Sequence, residues 1–246
     1  MWYLDVDLDN DKIKDYRAVY FTKYRPNKCT YAATQGNSDA YDQGYRTETV
    51  YWFKYEPVVW DIVGDAGAND KRLVSRYAID AQSFYTSPDN REATDGTTIY
   101  PNNYEESFIK NWLENTFYFT VLDVYRQSII SPNLTDNSAA STGSSTNQYA
   151  LGDDIFVDKV YLLSYVEAKD YLDGSDYEKS STTDYADVQG VSHGTSGNAE
   201  YANIWLRSPS NGNAINAKYV SSGGLGNNAQ SVTSNYGIRP ALNITL

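Results

Sequence analysis

Ile204-Trp205-Leu206-Arg207-Ser208-Pro209 opens, and Gly237-Ile238-Arg239-Pro240-Ala241-Leu242 closes, the last stretch of this 246-residue chain. Both segments are apolar runs of the kind a core claims. What lies between them differs: from Asn203 to Asn235 there are seven Asn and six Ser around a few apolar residues. Taken alone, such a composition would read as a disordered tail. Pinned at both ends by Trp205, Leu206, Ile238 and Leu242, it reads instead as a polar surface on a rigid scaffold, where binding residues concentrate. Arg207 and Arg239 stand beside core residues and are expected to pair with a carboxylate or with backbone carbonyls. Gly237 is expected to serve a tight turn, and Pro240 to end it.

Charge sets the same region apart. No Asp or Glu follows Glu200, so Arg207, Lys218 and Arg239 give residues 201–246 a charge of +3 against −15 for the rest of the chain. A chain of pI about 4.5 lacks the basic stripe that a nucleic-acid partner requires. Tyrosine is abundant, 24 residues against 7 Phe. Aromatic strands of a β-rich fold account for most of them, and binding surfaces also favour Tyr. Cys29 and His193 are the single Cys and the single His, which excludes an intrachain disulfide and any His/Cys metal site. Apolar runs such as Val160–Leu163 are too short to insert in a membrane. Nothing resembles a signal peptide, so export by another route, an excised domain or carriage on a virion is expected.

Runs rich in β-branched and aromatic residues predict strands over Arg17–Phe21, Thr49–Tyr55, Val58–Val63 and Arg72–Tyr77. A long polar loop over residues 26–47 separates the first two. Asn103-Tyr104-Glu105-Glu106 predicts a capping box ahead of Phe108, Ile109, Trp112 and Leu113 at helical spacing. Ser164-Tyr165-Val166-Glu167 predicts a second, with a helix through Ala168, Tyr171 and Leu172 stopping at Gly174. Lys159–Leu163 reads as a buried strand, and residues 132–152, rich in Ser, Thr and Asn, as an exposed insertion loop. Asn133 and Asn243 head Asn-x-Thr sequons.

No catalytic set is visible. His193 falls in the polar segment Ser192-His193-Gly194-Thr195, and no nucleophile elbow, Walker loop or dinucleotide fingerprint occurs. Glu105 and Glu106 are placed in the first turn of a helix, where acids favour the dipole. No enzymatic activity and no cofactor are therefore expected. A carboxylate-based hydrolase is the enzymatic alternative, because its two acids need only meet in space. Asp5, Asp7, Asp9 and Asp11 alternate as calcium-loop ligands do. The turn glycine and the bidentate Glu are missing, so a solvated acidic lead-in is expected and no metal site is assigned.

The W-L-R-S-P run at Trp205–Pro209 and the G-I-R-P-A run at Gly237–Ala241 resemble the C-terminus of a bacterial and phage family, the variable proteins of diversity-generating retroelements. Glu56–Ile62, Ile109–Asn115 and Asp158–Ser164 fit the same family, so the likeness covers residues 50–246. It implies an α+β, C-type-lectin-like fold with short strands, two main helices and a long looped C-terminal half. The implied organisation is a strand-bearing segment, residues 1–50, packed on a domain of residues 51–246. It also implies template-directed mutagenesis of a variable region about residues 203–235. The positions that fit are Asn203, Ser210, Asn211, Asn213, Ile215, Asn216, Lys218, Ser221, Asn227, Asn228, Gln230, Ser231, Thr233, Ser234 and Asn235. These would contact a protein or a cell-surface polymer, with Trp205, Leu206, Arg207, Gly237, Arg239 and Pro240 as scaffold anchors. The redox cysteines of formylglycine-generating enzymes and the E-P-N or Q-P-D motif of sugar-binding lectins are both missing, so fold kinship carries neither function across. Calcium-dependent carbohydrate binding is the alternative function. In this scheme Asn211, Asn213, Asn216, Lys218, Asn227, Asn228, Ser231 and Thr233 share one exposed face.

Overall fold

The computed structural model describes residues 2–23, 45–151, 155–194 and 197–246. Cys29, Thr195 and residues 26–44 of the polar loop lie outside the described residues. The first aromatic runs form strands β1 (Trp2–Val6), β2 (Tyr16–Tyr20) and β3 (Val50–Lys54), an antiparallel three-stranded sheet. Its third strand, β3, extends to Lys54. Its inner side chains Val19 and Phe21 cluster with Val188, Tyr51, Phe53 and Tyr185. Arg17 adds a hydrogen bond of 2.9 Å to the Tyr185 hydroxyl.

Two larger sheets build the body. One has the order β4 (Trp60–Asp65), β5 (Asp70–Ser75), β16 (Ala241–Thr245), β9 (Ile130–Ser131). The other has the order β14 (Ala229–Ser231), β13 (Asn216–Val220), β12 (Ile204–Pro209), β15 (Asn235–Ile238), β6 (Asp80–Ser83). Two ribbons complete the set: β7 (Arg91–Glu92) with β8 (Thr98–Ile99), and β10 (Asn133–Asp136) with β11 (Ile155–Asp158). Four helices occur among the described residues. Helix α1 runs through Phe108–Trp112, a π-helical turn Leu113–Phe117 and Tyr118–Val121. The others are α2 (Val124–Ile129), α3 (Tyr165–Tyr171) and α4 (Asp184–Val188). No helix among the described residues is long and apolar enough to cross a membrane.

Among the described residues, with 36% strand, 16% helix and five sheets, the fold is predominantly β. This overturns the α+β, C-type-lectin-like expectation with two main helices. Stretches that read as polar loops pair into short strands instead, and the helices stay short. Residues 132–152 are also no exposed insertion. Asn133, Thr135, Asn137, Ser141, Thr142 and Asn147 are buried, because their polar atoms find partners inside. Asn147 Nδ2, for instance, donates to the Pro209 carbonyl at 3.1 Å. Both sequon asparagines are buried, and Asn243 Nδ2 donates to Asn133 Oδ1 at 3.1 Å. The segment Val160–Leu163 is buried as expected, but it pairs only at Tyr161, which bridges Ala241.

Capping decides where the helices begin. Asn103 does not start α1: its Oδ1 accepts from the Glu105 amide at 2.9 Å and closes a turn. Ser107 is the N-cap and accepts from the Lys110 amide, so Glu105 and Glu106 precede the helix. Helix α3 does start on the reciprocal box of Ser164 and Glu167. The chain turns away from it at Gly174, where φ is +70°.

Strand β12 divides the core, since alternate side chains leave it on opposite faces. Trp205 joins Phe84, Tyr104, Tyr236 and Ile238 on one side. Ile204 and Leu206 join Leu163, Leu172 and Val220 on the other. Trp205 packs 5.6 Å from the Phe84 ring and 4.7 Å from the Tyr236 ring, and its Nε1 donates to the Gln82 carbonyl at 3.0 Å. Gly237 lies within β15 and makes no tight turn. A Cβ there would meet Ile204 Cδ1 at 2.7 Å and Ala78 Cβ at 2.9 Å, so the glycine allows two elements to approach.

Asp80, at the start of β6, is buried and accepts from the Ala81 amide at 2.7 Å and from Gln82 Nε2 at 3.1 Å. Burial pushes its carboxyl from 3.8 up to about 6, with these hydrogen bonds and Arg17 opposing.

Trp205→Ala is expected to cost about 3–5 kcal/mol in urea denaturation, the range for a buried aromatic; a loss below about 1 kcal/mol would remove Trp205 from the centre of the core. Asp80 binds its proton more tightly in the folded chain than in the unfolded one. Its favourable contribution is therefore complete below 3.8 and is lost as pH rises through about 6. Relative to wild type, Asp80→Asn should gain about 2–3 kcal/mol of stability between pH 4 and pH 7. Urea midpoints of both chains across that range check it, and a constant difference would exclude Asp80 as the titrating group.

Candidate functional site

Trp205, Leu206, Arg207, Gly237, Arg239 and Pro240, the expected scaffold anchors, are all buried. The two arginines are structural. The Arg207 guanidinium donates to the Leu162 carbonyl at 2.7 Å, to Asn137 Oδ1 and the Asp136 carbonyl at 3.1 Å, and to the Glu167 carboxylate. Burial acts to raise the Glu167 carboxyl, but Arg207, the Ser164 amide and Arg72 together leave that group below its ordinary value. Arg239 donates to the carbonyls of Ser75 and Tyr177, each at 2.6 Å. Burial lowers its guanidinium to about 10, against the pull of Asp61.

The fifteen surface candidates separate into two groups. Some are tied into the fold. Asn203 donates to Ser192 Oγ at 2.9 Å and accepts from the Ser222 amide at 3.1 Å. Asn235 Nδ2 donates to the carbonyls of Gln189 and Gly190 at 2.6 and 3.0 Å. Ser221 closes its own turn on the Gly224 carbonyl at 2.8 Å, and Ser210 accepts from the Gly212 amide at 3.1 Å. Lys218 departs from the exposed face expected for it. It is buried, lies 3.8 Å over the Tyr165 ring, and donates to Asn227 Oδ1 at 2.8 Å. Alternation along β13 turns it toward α3, and burial lowers its ammonium below the ordinary value.

The rest form a rim along the edge strand β14 and the loops beside it. Asn211, Ile215, Asn227, Gln230 and Thr233 are exposed, and Asn213, Asn216, Asn228, Ser231 and Ser234 are half-buried. Register brings Asn216 opposite Ser231 and Ala217 opposite Gln230. Ser231 and Thr233 share a hydroxyl contact of 2.9 Å, and Asn211 Nδ2 donates to Ser144 Oγ at 3.1 Å. The rim thus offers amides, hydroxyls and one aliphatic side chain on a braced backbone. Such groups can bind by hydrogen bonding and contact.

The acidic lead-in folds differently from its spacing. Asp5 is held by Arg17 at 2.7 Å, which lowers its carboxyl. Asp11 accepts from the Ile13 amide at 2.7 Å. Asp7 and Asp9 are joined by Asp15, and one carboxylate oxygen of each lies within 4.8 Å of the others. These three are the described residues that could hold a hard cation. Their oxygens already accept backbone amides of the loop, Asn10 and Lys12 on Asp7, Asp11 on Asp9 and Leu8 on Asp15.

Residues 69–246 match a family model described as a domain of unknown function, DUF6273. The chain belongs to that family. No curated protein and no solved structure matches the chain. The DUF6273 region contains all the anchors and the whole rim, while the three-stranded N-terminal sheet lies outside it.

Two features around the DUF6273 domain escaped the sequence reading. The first is the outer face of the N-terminal sheet, where the cross-strand rows Trp2–Tyr20–Val50 and Leu4–Ala18–Trp52 line up. Trp2, Leu4 and Trp52 keep 72%, 66% and 58% of their surface, an apolar patch of the kind that marks interaction sites. The alternation Trp2-x-Leu4 was its readable signal. The second is a buried charge cluster: Glu105, expected in a helical first turn, contacts Lys110, which also meets Asp158. No local signal links residues that far apart in sequence.

Removal of Arg207 leaves the mostly buried Glu167 carboxylate without its cation. Arg207→Ala is expected to cost about 3–5 kcal/mol, and Asn235→Ala about 1 kcal/mol or more through two unsatisfied carbonyls. Asn211→Ala and Gln230→Ala should stay within about 0.5 kcal/mol, as surface changes do. Urea denaturation of the four variants checks the division. Equal losses in both groups would make the rim part of the structural framework.

Proposed function

We propose that this DUF6273 protein is a non-enzymatic binding protein. It contacts a protein or a cell-surface polymer through the rim beside β13 and β14, on a bacterial cell surface or a phage virion. One observation carries the reading: polar side chains stand exposed on a backbone that other, buried or half-buried side chains hold in place. Asn203, Ser210, Lys218 and Asn235 brace the strands, so Asn211, Gln230 and Thr233 can change without cost to the core, whereas Asn227 holds the buried Lys218 ammonium. That division is what a surface selected for varied partners needs. Retroelement mutagenesis, suggested by the C-terminal motifs, is proposed for this exposed subset only. The net charge of −12 supports a partner other than nucleic acid.

Sequencing of the source locus across related strains tests the proposal. The expected result is an adjacent reverse transcriptase with a near-identical template repeat, and substitutions confined to the exposed rim positions. Substitutions falling equally on Trp205, Arg207, Asn235 or Arg239 would overturn it.

A second reading is supported by the exposed aromatic rows of the N-terminal sheet, a surface on which sugar rings or an apolar partner could stack. Here calcium-dependent carbohydrate binding is the competing function, with Asp7, Asp9 and Asp15 as the cation ligands. A glycan array with and without chelator separates the two readings. Binding that is lost with chelator and with Trp52→Ala, but kept with Gln230→Ala, would favour the second and exclude the rim.

A further inference from the structure

An amine and two carboxyl groups meet, mostly buried, between α1 and the β10–β11 ribbon. Lys110 Nζ, on α1, lies 2.7 Å from Asp158 Oδ1 at the end of β11, and also contacts Glu105 Oε2 in the turn ahead of the helix. The Lys110, Asp158 and Glu105 side chains keep 16%, 1% and 11% of their exposure. The rings of Phe156 and Tyr104 wall the ammonium, at 5.2 and 6.0 Å from their centroids. Glu105 Oε1 is held by Asn137 Nδ2 at 2.7 Å. Asp158 Oδ2, by contrast, is buried with no hydrogen-bond partner among the described residues. A buried carboxylate oxygen left bare is costly, and an ion pair serving only structure would satisfy it. It is, however, the oxygen that an amide-forming reaction expels.

We propose that Lys110 and Asp158 join in an intramolecular isopeptide bond, Nζ to Cγ, with Glu105 as the proton carrier. Burial weakens the hold of Lys110 on its proton, but hydrogen bonds to Asp158 and Glu105 outweigh burial, and the resting state is the ion pair. Burial holds the Glu105 carboxyl above its ordinary value, so it is suited to accept and return a proton. Glu105 relays one ammonium proton to Asp158, which becomes the neutral acid and bares the Nζ lone pair. Nζ then attacks Cγ. Collapse of the tetrahedral carbon expels one oxygen, which takes a second proton from the nitrogen through Glu105 and leaves as water. The third proton stays on the amide nitrogen. The positive and negative charges vanish together, Glu105 is a carboxylate before and after, and no co-reactant is needed. Fixed contact supplies the effective concentration that an amine and a carboxyl lack in solution. The bond would tie α1 to a two-stranded ribbon, an arrangement that is marginal by itself, in a chain whose single cysteine, Cys29, allows no internal disulfide.

Intact mass of the full chain under denaturing conditions, followed by peptide mapping, tests this. The wild-type chain is expected to be lighter than its sequence by one water and to yield a branched peptide joining Lys110 to Asp158. Glu105→Gln, nearly the same shape, should keep the wild-type circular dichroism and show the full mass of its sequence. Lys110→Arg should do the same, since it keeps the charge and removes the nucleophile. A wild-type chain of full sequence mass, with Lys110 and Asp158 in separate linear peptides, overturns the proposal. So does a water loss that maps to a succinimide at Asp95-Gly96 or Asp173-Gly174. A Glu105→Gln chain that still forms the branched peptide overturns the role given to Glu105.

Discussion

The Arg207 guanidinium is almost wholly removed from solvent, and its charge cannot be left without partners. Its donors reach the Leu162 carbonyl, the Glu167 carboxylate, Asn137 Oδ1 and the Asp136 carbonyl. The partners belong to three pieces of chain besides β12, so the start of α3, the segment before Ser164 and the end of β10 are fixed with β12 to a single planar group. Asn137 passes the constraint on, because its amide nitrogen holds Glu105. Glu105 in turn contacts Lys110, and Lys110 meets Asp158. A chain of charge and hydrogen bonds therefore runs from the central strand to the outer ribbon. Most of it is desolvated, where such contacts are strong and an unpaired member is costly.

Against that interior the rim is easily understood. Its backbone is positioned by β12, β13 and β15, and its exposed side chains contribute little to that positioning. The same strand β13 carries both kinds of residue: Lys218 turns inward over Tyr165 while Asn216, two residues before it, keeps partial exposure at the strand end. Proximity in sequence to a variable-looking position is thus a poor guide to exposure. The two-residue period puts Asn216 and Lys218 on the same face, and the end of the strand decides the difference.

Strands over Arg17–Phe21 and Arg72–Tyr77, the Ser164–Glu167 capping box and the burial of Trp205 through Pro209 were legible, because local composition sets them. The structural role of Arg207 and Arg239 was legible for a related reason, since a charge beside core residues must be satisfied. The start of α1 was misread: both Asn103 and Ser107 are competent caps. Ser107, directly ahead of the first apolar residue, wins because Asn103 is spent on the Glu105 amide. The pairing of β13 with β14 was hidden, since short strands rich in small polar residues carry no clear hydrophobic alternation, and β11, the apolar run Ile155–Val157 closed by Asp158, is too short to announce itself. The meeting of Lys110 with Asp158, and of Asp15 with Asp7 and Asp9, depends on long-range closure or loop conformation that no local pattern encodes.

The sequons carry a consequence for the making of the protein. Asn133 and Asn243 lie on strands far apart in the chain, and they meet only when β9, β10 and β16 come together, amide to amide at 3.1 Å. In a host that glycosylates nascent chains, an oligosaccharide would be attached to either asparagine while it is still accessible, before its partner arrives. The sugar would then occupy the seam where the two strands must close, and the body could not be completed. Production in a host that lacks the glycosylating machinery avoids that conflict, and in this way the seam joins the chain's assembly to the cellular setting of its synthesis.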